Sequence, residues 1–107
     1  MNSNVPDIQA RLERLQQDYA RQLPDRVAVI DQLWQQLLSA PDTAIRQELI
    51  RLCHTLAGSG ASYGFAQVTE QCRQIEQILL SLEEGADIPA ALSQQFHRHL
   101  NQLRESL

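Results

Sequence analysis

The 107-residue sequence is poor in aromatic residues, at 5 %, and has only two cysteines, four glycines and four prolines. Two cysteines cannot build the disulfide framework that staples small extracellular folds. Cys53 and Cys72 lie far apart within amphipathic helical patterns and are expected as reduced core thiols. Long hydrophobic runs are also missing. No apolar stretch reaches the roughly 18 residues that span a bilayer, and the N-terminus, MNSNVPDIQ, has neither the charged n-region nor the apolar h-region of a secretory leader. A soluble, cytoplasmic protein without a membrane partner is the expectation. A basic patch is absent too: nine basic residues are scattered among thirteen acidic ones, for a formal net charge of −4. That balance argues against nucleic acid as the partner. There is no DxD cluster for Mg²⁺, no glycine-rich loop following a strand, and no triad-like pattern, so nothing in the chain could hold ATP for an autonomous kinase.

What the sequence does contain is helix-forming material. It is 43 % hydrophobic and 21 % charged, rich in Leu, Gln, Ala and Arg, and apolar residues recur with helical spacing throughout. This length suits one domain, residues 1–107, with a single core. Five helices are expected. The first, about 7–22, carries Ile8, Leu12, Leu15 and Tyr19 on one face; Pro24 then punctuates the chain. A second, about 24–39, carries Val27, Ile30, Leu33, Trp34 and Leu37. The third, about 42–62, ends where Ser59, Gly60, Ser62 and Gly64 crowd together. The fourth, about 65–84, runs through Val68, Cys72, Ile75, Leu79 and Leu82 to a glycine cap at Gly85. The fifth, about 89–105, starts at Pro89 and carries Leu92, Phe96, Leu100 and Leu103. Short connections favour antiparallel neighbours, so the expected fold is all-α: an up-down four-helix bundle with an additional N-terminal helix capping one end. Trp34, Phe65 and Phe96 are expected in the core.

One histidine stands apart from this core. On a helix beginning near Asp42, Ile45, Leu49, Leu52, Cys53 and Leu56 fall within roughly 100° of one another, and His54 lies about 160–180° from the middle of that stripe. Its neighbours on the outward face are Ile50, Ala57, Gly58 and Ala61, with Gln47 further back. Small and apolar residues around an exposed imidazole suit a surface that a partner approaches. Gly58 costs about 0.8–1 kcal/mol relative to alanine inside a helix, and the missing side chain leaves access to the ring. Gly60 falls on the inward stripe, where it allows a neighbouring helix close, and Gly64 permits the turn. Imidazole is largely neutral near pH 7, so one ring nitrogen can act as a nucleophile towards phosphorus. Such a histidine needs exposure, a fixed ring and a clear approach if the partner supplies Mg²⁺ and carboxylates. The remaining candidates are bland. His97 and His99 diverge by about 200° on a helix and cannot readily share a metal, and Glu83, Glu84 and Asp87 read as a solvated loop. No inward Glu-x-x-His pair points to a metal-binding bundle, and neither a cofactor nor a metal is expected on this chain.

From Ile50 to Glu76 the sequence resembles the histidine-containing phosphotransfer (HPt) domains. The motif is carried by His54, Leu56, Ala57, Gly58, Ser59 with Gly60 and Ala61, and Gly64 followed by Phe65. The resemblance implies that His54 accepts a phosphoryl group from the aspartate of one receiver domain and passes it to another. It also implies that Glu76, at the offset of 22 residues where such domains often carry Gln or Glu, hydrogen-bonds the imidazole. Gln47 is expected to border the site. Ala57 departs from the pattern, since that position is usually Lys, a charge that helps neutralise the phosphoryl group. The expected function is thus a monomeric phosphocarrier in a multistep His-Asp relay, partnered by receiver domains of response regulators or hybrid kinases. The competing reading is an interaction module that sequesters a receiver without phosphotransfer.

Overall fold

A computed structural model describes residues 4–107, and the side chains of residues 7–107. The described residues form four helices and no strand: α1 (Asn4–Ser39), α2 (Thr43–Ser62), α3 (Ala66–Ser81) and α4 (Ala90–Glu105). Adjacent backbones join α1 to α2, α2 to α3, α3 to α4 and α4 back to α1. The pairings all run in opposite directions. Tyr19 meets Ser59 and Gln16 meets Tyr63, Arg46 meets Leu79 while Ala57 meets Thr69, and Trp34 meets Phe96 while Asp31 meets Arg104. This is an antiparallel up-down four-helix bundle.

The separate N-terminal helix expected from Pro24 does not exist, because α1 continues through the proline. Tyr19, Leu23, Val27, Ile30, Trp34 and Leu37 form one unbroken buried stripe at helical spacing across it. Pro24 itself is exposed, so the Ala20 carbonyl freed by the missing N–H can be solvated while the inward face stays intact. Packing of the stripe overrides the local breaker. Pro24→Ala restores the lost hydrogen bond without touching the core and is expected to stabilise the fold by about 1–3 kcal/mol, seen as a higher thermal midpoint. Nor does the N-terminal part cap the bundle. Ile8, Leu12 and Leu15 are each about half exposed, and α1, at roughly 1.5 Å per residue, makes the molecule 63 Å long but only 24 by 20 Å across.

The core lies between the four helices. Trp34 and Phe96 are fully buried, and their rings stack at 3.7 Å and 3° between α1 and α4. Phe65 is only partly buried, packed on Tyr19 at the rim. Helix α3 stops at Ser81, a turn before its expected end, because Leu82 turns to extended backbone and buries its side chain. Gly85, expected as the cap, instead takes the left-handed conformation (φ +74°) within the loop. The Leu79 carbonyl at the α3 terminus accepts both the Leu82 N–H at 3.3 Å and the Arg46 side chain of α2 at 3.1 Å, which ties the two helices together there. Cys53 and Cys72 are buried free thiols. Burial pushes both up in pKa, Cys72 to about 12.

Candidate functional site

Helix α2 is started by Asp42, whose extended backbone and carboxylate cap the first turn by accepting from the Ile45 N–H at 3.1 Å. At its other end Phe65 N–H donates to the Gly60 carbonyl (2.7 Å) and Gly64 N–H to that of Ala61 (3.3 Å), the pairing of a Schellman motif. Gly64 supplies the left-handed residue this motif needs, at φ +84°. Helix α1 braces the turn: Tyr19 stacks on Tyr63 at 4.7 Å and hydrogen-bonds Ser59, and Gln16 donates to the Tyr63 carbonyl at 3.0 Å.

The turn sends α3 back along α2 at very close range. A Cβ on Gly60 would stand 2.8 Å from Thr69 Oγ1 and 3.2 Å from the Phe65 carbonyl oxygen, so only glycine allows this approach. Thr69, buried, donates its hydroxyl to the Ala57 carbonyl at 2.6 Å. Two turns further along α3, Glu76 comes level with His54.

His54 projects from α2 with 78 % of its side chain exposed, whereas Glu76 is only 17 % exposed. The imidazole Nδ1 lies 3.1 Å and 3.3 Å from the two carboxylate oxygens of Glu76. An ionised carboxylate only accepts, so Nδ1 carries the proton and donates it. In the neutral ring the lone pair is then on Nε2. A half-buried carboxylate thus holds one edge of a ring that is otherwise exposed.

Around the ring is a shallow depression lined by His54, Ala57, Gly58, Arg73, Glu76 and Gln77. Gly58 is exposed, and a Cβ there would meet nothing within 4 Å, so its missing side chain serves no packing inside this molecule. Ala57 corrects the expected outward face: it is only 4 % exposed and belongs to the core. It sits about 60° from His54 but only about 40° from Cys53 around the helix, and the close approach of α3 covers it. Ile50 is half-buried, and Gln47 and Ala61 are exposed, but none of these three lines the depression. Arg73 and Gln77 do, and the sequence reading passed over both. The one available signal was their spacing from each other, four residues apart on one face of α3.

The other candidates lie elsewhere. His99 is half-buried, with its ring nitrogen 2.7 Å from the Gln71 side-chain oxygen, and burial lowers its pKa. His97 is half-buried with its ring edge-on to Trp34. Glu83, Glu84 and Asp87 are exposed, Glu84 accepting from the Thr43 hydroxyl. Among the described residues no group of three or more His, Cys, Asp or Glu side chains gathers as a metal site, and no helix is long and apolar enough to cross a membrane. A family model described as "Hpt domain" matches residues 5–106, nearly the whole chain. No curated protein and no solved structure matches it.

Proposed function

Since the chain belongs to the Hpt domain family, whose members are phosphorelay carriers and not autonomous enzymes, we propose that His54 is its phosphoacceptor, taking a phosphoryl group from the aspartate of one receiver domain and delivering it to another. The observation that carries this reading is the Nδ1-to-Glu76 hydrogen bond on an otherwise exposed imidazole.

In the forward step the Nε2 lone pair attacks phosphorus, the N–P bond forms, and the bond to the aspartyl oxygen breaks with its electron pair returning to the carboxylate. The ring, still protonated at Nδ1, becomes cationic as N–P forms. Glu76 faces that charge and stabilises the ring as it develops. On delivery the next aspartate attacks phosphorus and the electron pair returns to Nε2. Glu76 is a positioning residue that keeps one nitrogen protonated and the other free. The receiver contributes Mg²⁺ and the reacting carboxylate, and this chain contributes a ring at a fixed place.

Gly58, Ala61 and Ile50 form the surface on which a receiver settles, with Gln47 at its border. Gly58→Gln tests this directly. The substitution is sterically free within the molecule and gains helix propensity of under about 1 kcal/mol, so stability is expected to hold or rise while transfer from a phosphorylated receiver falls at least roughly tenfold through obstruction. Transfer at the wild-type rate removes Gly58 from the interface. For the function itself, the chain is incubated with phosphorylated receiver domains and the label is mapped. Acid-labile, base-stable phosphate on His54 is the expected result; label elsewhere, or none with any receiver, overturns the proposal.

A further inference from the structure

A phosphoryl group placed on Nε2 brings its negative charge to a site whose nearest ionised neighbour, Glu76, is also negative. A cation close by would offset that repulsion, and the chain contains no lysine to provide one, its nine basic residues all being arginines. Ala57, where the related domains usually have Lys, is buried against α3. Of the residues lining the depression beside His54, Arg73 is the one cation. It is exposed, and among the described residues its guanidinium makes neither an ion pair nor a hydrogen bond, unlike Arg46, Arg51 and Arg104, which are engaged by partners of their own. Gln77, one turn away on the same face of α3, lines the same depression with an exposed side-chain amide. The antiparallel packing sets Arg73 towards the Ala57–Gly58 side of His54, because α3 runs from Thr69, opposite Ala57, to Glu76, opposite His54.

We propose that Arg73, assisted by the Gln77 amide, forms a phosphoryl-binding site on this chain, holding the oxygens of the group carried by His54 from across the α2–α3 groove. The proposal rests on His54 being the phosphoacceptor. Arginine suits the task because its planar fork presents paired donors to phosphate oxygens and stays charged throughout. The cation therefore comes from the facing helix, and it reaches the phosphoryl group over Ala57, whose small side chain leaves the space between them open.

The test uses phosphoramidate, a donor too small to depend on receiver docking, with the intact chain as wild type, Arg73→Gln and Arg73→Lys. Nε2 attacks phosphorus, the N–P bond to histidine forms, and ammonia leaves. Label on His54 is followed by ³¹P NMR. Wild type is expected to label, Arg73→Gln to label roughly tenfold more slowly, and Arg73→Lys to recover part of the rate, with the helical signal and thermal midpoint the same in all three. Added salt is expected to slow wild type and Arg73→Lys but to leave Arg73→Gln nearly unaffected, a difference that a structural role would not produce. Equal labelling of wild type and Arg73→Gln overturns the phosphoryl-binding site and leaves the phosphoacceptor reading standing. No label on wild-type His54 overturns both.

Discussion

A His54→Gln protein is expected to take up no phosphoryl label from any receiver while keeping its helical signal and a stability within about 0.5 kcal/mol of wild type. The reason is the division of labour on α2. Leu49, Cys53 and Leu56 are sealed into the core, whereas the His54 side chain is 78 % exposed and contributes one surface hydrogen bond to the fold. Glutamine can still donate to Glu76, so the carboxylate keeps a partner, but its amide nitrogen has no lone pair to offer phosphorus. The same variant separates carrier from sequestering module. A carrier loses its effect on the next receiver together with the label, while a sequestering module retains both receiver binding and downstream effect. A large loss of helicity would contradict the exposed placement of the ring.

The largest stability loss is expected on the opposite side of the bundle. Phe96→Ala removes one of two fully buried, stacked rings between α1 and α4 and should cost about 3–5 kcal/mol, because neighbouring helices relax only partly into the space. Set against the roughly 5–15 kcal/mol of a typical domain, that leaves a marginal protein, with a denaturant midpoint shifted far down. Trp34, the single tryptophan, is the natural fluorescent reporter of the transition. Molecules that remain folded should carry phosphate at the wild-type rate, since His54 is held by α2 and α3 while Phe96 joins α4 to α1. A transfer defect in the folded fraction would mean that the α1–α4 side positions the ring.

Much of this architecture was legible in one dimension because helical periodicity reports directly which face is buried. The α2 stripe, the outward His54 and the close approach at Gly60 follow from that rule, and the turn at Gly64 from the crowding of serine and glycine before it. It failed where a residue's neighbours come from another helix. Pro24 obeys a local breaker rule, yet Tyr19, Leu23 and Val27 on the inward face hold α1 together through it. Ala57 sits at the border between the two faces of α2, and only the approach of α3 decides that it is buried. Arg73 carries no pattern on its own; it matters because antiparallel packing brings it to the depression beside His54. Glu76 was found through its offset from the histidine in related domains, a distance along the chain that encodes one turn between two helices.

Cys53 and Cys72 are buried on α2 and α3, the two helices that carry the histidine and Glu76, and both thiols are shifted upward by desolvation and by the charge of Glu76. As thiols that resist ionisation inside a closed core, they are inert to alkylating reagents until α2 and α3 part. Each molecule thus carries an internal gauge of how often the floor beneath its imidazole breathes, readable without placing any label on the surface that visitors touch.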